Sequence, residues 1–221
     1  MSLRGESRSP SGGQPGVPKA AVGRLSLYLR QLERFVRDGT IKVSSRRLGE
    51  SLGISDAQVR KDLAYFGQFG HAGIGYQAEE LMQAIRHILG TDHEWPVALV
   101  GIGNLGRALV GYRGFRRLGF QIRAIFDLDS KKVGLAVAGI RVESAAVLEE
   151  RIRELSIALG IIAVPADAAQ SVADSLVAAG VRGILNFAPA PIIVPKNVSV
   201  SSVDLAIHLE SLSYRVRSGT E

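Results

Sequence analysis

Between Val97 and Leu109 the chain reads Val97-Ala-Leu-Val-Gly101-Ile-Gly103-Asn104-Leu105-Gly106-Arg-Ala-Leu109, an apolar run that stops at three glycines and resumes with helical spacing. Residues of these types at this spacing can hold a pyrophosphate. Gly101 permits a tight turn out of a strand, Gly103 lets the backbone approach a ligand, and Gly106 lets the following helix pack close to the strand. The helix start, at Asn104 and Leu105, then offers unpaired N–H groups and a positive dipole end to the anion. A second apolar run, Phe120 to Phe126, ends in Asp127, about 20 residues past the last glycine, where a carboxylate accepts adenosine ribose hydroxyls. In a chain with 25 glycines the motif alone could be a structural strand–helix turn, and the placing of Asp127 favours a dinucleotide site. A carboxylate there repels a 2′-phosphate, which favours NAD, as NADH or NAD⁺, over NADP despite the nearby Lys131 and Lys132.

A second set of chemistry-bearing residues lies upstream. Ser44-Ser45 can cap a compact helix carrying Leu48 and Leu52; Gly53 breaks it, and Ser55 caps a further helix, Asp56 to Phe66. Val59, Leu63 and Phe66 share one face of that helix, which leaves Gln58, Arg60, Lys61 and Tyr65 on the other. Two short helices across a glycine turn suit a helix-turn-helix. Arg and Lys can donate to guanine edges, Gln can pair with adenine, and the hydroxyls of Ser44, Ser45, Ser55 and Tyr65 can hold phosphates. Gly67 to Tyr76 is too glycine-rich for a core strand and reads as a short β-hairpin wing, tied down by Phe69, Ile74 and Tyr76, that brings His71 to the duplex. The alternative is a small helical packing module whose charges are merely solvated.

The rest of the chain must position these groups. Its 221 residues are 46% hydrophobic, as in a globular protein of one or two domains. The absence of cysteine removes disulfides, a thiol nucleophile and Cys-ligated zinc. No apolar stretch reaches bilayer length and the first residues lack a signal peptide's apolar segment, so a cytoplasmic protein without membrane contact is expected. His87 and His93 have no companions at metal spacing, and no metal is expected. The net charge of +6 is uneven: residues 1–90 hold 13 Lys/Arg against 8 Asp/Glu, and residues 91–221 hold 14 against 13. The basic excess therefore accompanies the helix-turn-helix, as an anionic polymer requires.

Residues 1–18, rich in Ser, Gly, Pro and Arg, read as a disordered tail. Residues 19–90 read as a winged-helix DNA-binding domain, opened by a helix with Val22, Leu25, Leu29, Leu32 and Val36 inward and closed by another over Ala78 to Leu89. Residues 91–202 alternate strand and helix, an α/β Rossmann domain with a doubly wound, mostly parallel sheet. Ligands of such sheets sit beyond the strand carboxyl ends, so Ala163-Val164-Pro165 and Asn186-Phe187-Ala-Pro189 should wall the nicotinamide side. Residues 203–221 form a last helix whose Leu205, Leu209, Leu212 and Val216 make an apolar seam. That seam packs either on its own sheet or across a partner subunit.

From about Pro18 to Val216 the chain resembles the Rex family of redox-sensing transcriptional repressors. The likeness is carried by Val59-Arg-Lys-Asp-Leu-Ala-Tyr-Phe-Gly67, Gly101 to Leu109, Phe126-Asp-Leu-Asp-Ser-Lys-Lys-Val-Gly134, and Gly183-Ile-Leu-Asn-Phe-Ala-Pro189 with Val203-Asp204. The resemblance implies a homodimer on palindromic double-stranded operator DNA, with the last helix exchanged between subunits as a dimer arm. It implies release from DNA by NADH but not by NAD⁺, Tyr112 near the nicotinamide, and an interdomain switch in which Arg24 meets Asp204. The chain departs from the pattern at Arg113, in place of a proline. A dehydrogenase would need a positioned acid or base, and His208, the one histidine after the glycines, lies beside the seam; no catalytic residue is assigned. A CoA-binding Rossmann module shares the look of the Ala163–Pro165 and Asn186–Pro189 segments, but Asp127 and the helix-turn-helix argue against it.

Overall fold

The computed structural model describes residues 17–70 and 74–219. The expected tail, except Val17 and Pro18, and the expected DNA contact His71 therefore lie outside the described residues. The chain forms two compact units, one ending at Asp92 and the other beginning at His93.

The first unit runs α1 (Lys19–Arg37), β1 (Lys42–Val43), α2 (Ser45–Glu50), α3 (Asp56–Ala64), β2 (Tyr76–Gln77) and α4 (Ala78–Leu89). On α1, Leu25, Tyr28, Leu29, Leu32 and Phe35 recur at three and four residues and are buried against Val59 and Leu63 of α3 and Leu81, Met82 and Ile85 of α4. Each large side chain buried this way contributes about 1.5–3 kcal/mol before the cost of ordering it. Val22, expected on the inner face, is instead 40% exposed, one turn ahead of the packed stripe.

The wing differs from expectation. The described ladder is not a hairpin inside the glycine segment: Val43 pairs with Tyr76 and Lys42 with Gln77, antiparallel, across α2 and α3. Glycines at positive φ, Gly67 and Gly70 among them, cannot sustain extended pairing, and Gly75, at φ +82, brings its backbone so close to Val43 that an added Cβ would lie 2.7 Å from the Val43 carbonyl oxygen.

The second unit runs β3 (Trp95–Val100), α5 (Asn104–Val110), α6 (Arg113–Arg117), β4 (Phe120–Asp127), β5 (Ala136–Val137), β6 (Ile140–Ser144), α7 (Leu148–Glu154), β7 (Leu159–Ile162), α8 (Ala169–Ala178), β8 (Gly183–Asn186), β9 (Ser199–Ser202) and α9 (Leu205–Ser218). The sheet order is β5-β6-β4-β3-β7-β8-β9, parallel throughout except for β5. Both faces are covered: Val97 and Leu99 of β3 join one core, Ala98 and Val100 the other. The chain leaves β3 for β4 on one side and reaches β7 on the other, which makes the carboxyl end of β3 the switch point of a doubly wound sheet. β5 was not legible in the sequence. It forms a hairpin with β6 through Ala138 and Gly139, both at positive φ as a two-residue primed turn demands, although alanine seldom signals one.

Candidate DNA interface and dinucleotide site

In the first unit the helix-turn-helix is built from its caps upward. The Ser44 hydroxyl accepts the Arg47 N–H at 3.1 Å and starts α2; the Ser55 hydroxyl accepts the Gln58 N–H at 3.2 Å and starts α3. A hydroxyl that accepts from backbone can still donate its own proton outward to a phosphate. Arg60, on the exposed side of α3, donates to Asp56 at 2.7 Å and to Ser45 at 3.1 Å, which aligns its fork along α2 and α3 and leaves further N–H donors free of either bond. Lys61 is exposed and Tyr65 half-buried on the same stretch. The structure thus places Ser44, Ser45, Ser55, Arg60, Lys61 and Tyr65 on the α2–α3 pair and its flanks.

Two expected site residues carry bonds that the sequence did not show. Gln58 donates one amide hydrogen to Asp62 at 2.7 Å, which fixes its orientation and leaves its second N–H and its carbonyl oxygen outside that bond. Arg24, expected to meet Asp204 from the other unit, is held by Asp62 at 2.5 and 2.7 Å, and Asp204 caps α9 through the Ala206 N–H at 2.9 Å. Each has its partner within its own unit. The reason is Asp62 itself: fully buried on α3, it also accepts from the Tyr28 hydroxyl at 2.8 Å, and a buried carboxylate draws in every donor within reach. Burial alone would raise its pKa, but the bonds from Arg24, Tyr28 and Gln58 outweigh that and hold it below the ordinary carboxylate range. Burial and the bond to Asp62 push the Tyr28 hydroxyl well above its usual range. The sequence carried a signal for this network: Asp62 falls among Val59, Leu63 and Phe66, on the apolar face of its helix.

In the second unit the glycines do three different things. Gly101 sits at φ +98, and an added Cβ would lie 2.5 Å from the Ala163 carbonyl oxygen. At Gly106 a Cβ would collide with the Gly101 carbonyl oxygen, so this glycine lets α5 seat against the end of β3. A Cβ on Gly103 meets nothing within 4 Å, and no side chain caps the helix there. The open side of the loop is therefore bounded by Gly103, Asn104 and Leu105, which are all exposed, at a helix start whose first N–H groups have no partner within the helix. Asp127, at the end of β4, accepts the Ile102 N–H at 2.8 Å and the Asp129 N–H at 2.9 Å, with Lys132 Nζ at 3.2 Å. Burial opposes its charge, yet the two backbone donors and Lys132 keep its pKa below the ordinary value. The carboxylate expected to meet the ribose thus fixes the glycine loop, and Lys132 pairs with it.

Val164 and Pro165 follow β7 beside the loop; Val164 Cγ1 would lie 2.8 Å from a Cβ on Gly101. Phe187 follows β8 and is half-buried. Asn186, expected as a ligand contact, is fully buried and spends its amide on its own turn, donating to the Ala190 carbonyl at 2.9 Å and accepting the Ala188 N–H at 3.0 Å. These bonds shape the loop that follows β8. Tyr112 follows α5 and precedes α6, 58% exposed with its ring edge-on to Phe115.

Comparison with known proteins extends over both units. Residues 16–64 match the family described as "Putative DNA-binding protein N-terminus", and residues 92–190 match "CoA binding domain". The redox-sensing transcriptional repressor Rex of Carboxydothermus hydrogenoformans is 49% identical over 91% of this chain and 97% of its own length. The Rex repressor of Syntrophomonas wolfei is 46% identical over 90% and 94%. Among solved structures, RSP in complex with NAD⁺ and operator DNA matches with a TM-score of 0.89 at 37% identity, covering 92% of this chain and 94% of that one. RSP in complex with NADH matches with a TM-score of 0.83 at 35% identity, over 93% and 97%. At this identity over nine-tenths of its length, the chain belongs to the Rex family of redox-sensing transcriptional repressors.

Proposed function

We propose that this protein is a cytoplasmic repressor that reads the NADH/NAD⁺ ratio, binding palindromic double-stranded operator DNA as a homodimer and leaving it when NADH is held. It is a regulator and not an enzyme. The observation that carries this reading is the conjunction, in one chain, of a capped helix-turn-helix and a glycine loop open at Gly103, with whole-chain similarity to a repressor solved both with operator DNA and with NADH. Lys61 and the remaining donors of Arg60 would read bases, with the Ser44, Ser45, Ser55 and Tyr65 hydroxyls on phosphates. Gly101, Gly103, Asn104, Leu105 and Gly106 would hold the pyrophosphate, Asp127 would use its remaining lone pairs on the ribose, and Val164, Pro165 and Phe187 would line the nicotinamide side. The cofactor supplies only a difference in shape and charge between its reduced and oxidised ring. By linkage, NADH must weaken operator binding by the same factor by which operator weakens NADH, typically 1–3 kcal/mol.

α9 supports the homodimer. No residue of this helix is buried in the single chain, and Leu205, Leu209, Leu212 and Val216 are all exposed. An apolar seam of that length on a lone surface helix is a partner's interface, in keeping with an exchanged dimer arm spanning 203–221. The deciding experiment is an operator mobility shift with no cofactor, with NAD⁺ and with NADH. The reading predicts complex in the first two lanes and release in the third; equal shifts in all three would refute it.

A further inference from the structure

A groove of about 610 Å³ opens on the second unit between α6 with its preceding turn and the edge formed by β4 and β6. Its floor is apolar, from Phe115, Phe120 and Ile122, and its rim holds Arg113, Arg116, Arg123, Arg141 and Arg151 against one carboxylate, Glu143. Arg151 is consumed by Glu143 and Glu154, and Arg123 has Glu94 at 3.7 Å. Arg113, Arg116 and Arg141 have no carboxylate partner among the described residues.

Arg113 and Arg116 of α6 and Arg141 of β6 bring three guanidiniums to one groove, where their like charge attracts an anion. Their planar forks match phosphate oxygens bidentately. The groove's volume lies in the range of small-molecule sites, and its apolar floor suits the carbon part of a ligand. It is also distinct from the glycine loop: Arg123 stands four residues before Asp127 on β4, roughly 13 Å down the strand. We propose that this groove is a second small-molecule site, for a phosphorylated anion of nucleotide size, separate from the dinucleotide cradle.

The test is calorimetric titration of the full-length protein with thymidine 5′-diphosphate, with and without saturating NADH, beside an Arg116→Ala/Arg141→Ala variant. A failure of NADH itself to bind would register separately and concerns only the cradle. The expected result is saturable binding of the probe in both conditions, weakened about tenfold or more in the variant, with NADH affinity kept as the sign that the unit is folded. No saturable binding at millimolar probe, or equal affinity in the variant, overturns the proposal. So does a variant whose only change is a weaker, less salt-dependent grip on operator DNA, because the groove would then be a track for backbone phosphates.

Discussion

Asp62 ties the reading helix to α1 through two side chains, Arg24 and Tyr28, and its removal tests how much of the DNA-binding unit depends on one carboxylate. Asp62→Ala leaves Arg24 and Tyr28 without their acceptor and should cost about 3 kcal/mol, somewhat softened because Arg24 can reach water. Its folded pKa is depressed, so its contribution is fully present above the ordinary value of 3.8 and is lost as the pH falls below that toward the folded value. Urea unfolding followed between pH 3 and 7 should show a steep acid loss in the wild type and a shallower one in Asp62→Asn; parallel curves would mean that the carboxylate's charge contributes nothing. Lys61 belongs to the other side of the same helix, and Lys61→Ala should weaken operator binding while leaving unfolding unchanged. Gln58→Ala should relax discrimination at one base pair bearing an amino donor, by about 1–3 kcal/mol, read as affinity across operators substituted position by position. At this scale the sequence was half legible. Residue types placed Arg60, Lys61 and the two capping serines correctly on exposed ends and faces, but pairings across 38 positions, such as Arg24 with Asp62, depend on how α1 crosses α3 and leave no local trace.

At the level of elements, the strand–glycine–helix unit separates what folds the loop from what holds a ligand. Gly101→Ala forces a side chain into a positive-φ position and against the Ala163 carbonyl, so it should destabilise the second unit by about 1–3 kcal/mol. Gly103 is at φ −73 with open space around its Cβ direction, so Gly103→Ala should leave the melting temperature nearly unchanged. The added methyl then stands where the pyrophosphate would pass, and NADH affinity should fall about tenfold or more. A Gly103→Ala protein that binds NADH as the wild type does would move the ligand away from this loop. The doubly wound class of the sheet and the glycine loop were readable in advance because period, glycines and Asp127 all act over short spans. The wing and β5 were not: each is a pairing of two-residue strands whose partner is chosen by turn geometry, with Val43 as the distant partner of Tyr76 and an Ala138-Gly139 turn that carries no asparagine.

The whole molecule poses a question that neither unit answers, because a signal held at the glycine loop of one must reach α3 of the other. Arg24 braces α3 and Asp204 caps α9 within their own units, and the Arg24–Asp204 contact implied by the family resemblance would draw on the groups these bonds leave over, Arg24 Nη1 and Asp204 Oδ2. α9 remains the element without internal partners, with Leu209 68% and Val216 83% exposed. If the seam is the subunit interface, Leu209→Glu/Leu212→Glu places two charges in an apolar contact and should convert a dimer to monomer in sedimentation, since each buried unpaired carboxylate costs several kcal/mol. The cradle lies wholly in the second unit and should still bind NADH with an affinity near that of the wild type. Operator binding should collapse, because a monomer engages one half-site and forfeits the second set of phosphate and base contacts. The coupling then has a direct readout: operator should weaken NADH binding in the wild type, and the monomeric variant should show one NADH affinity with or without DNA. A variant that stays dimeric would remove α9 from the interface, and a monomer whose NADH affinity still responds to operator would place the whole switch within one chain.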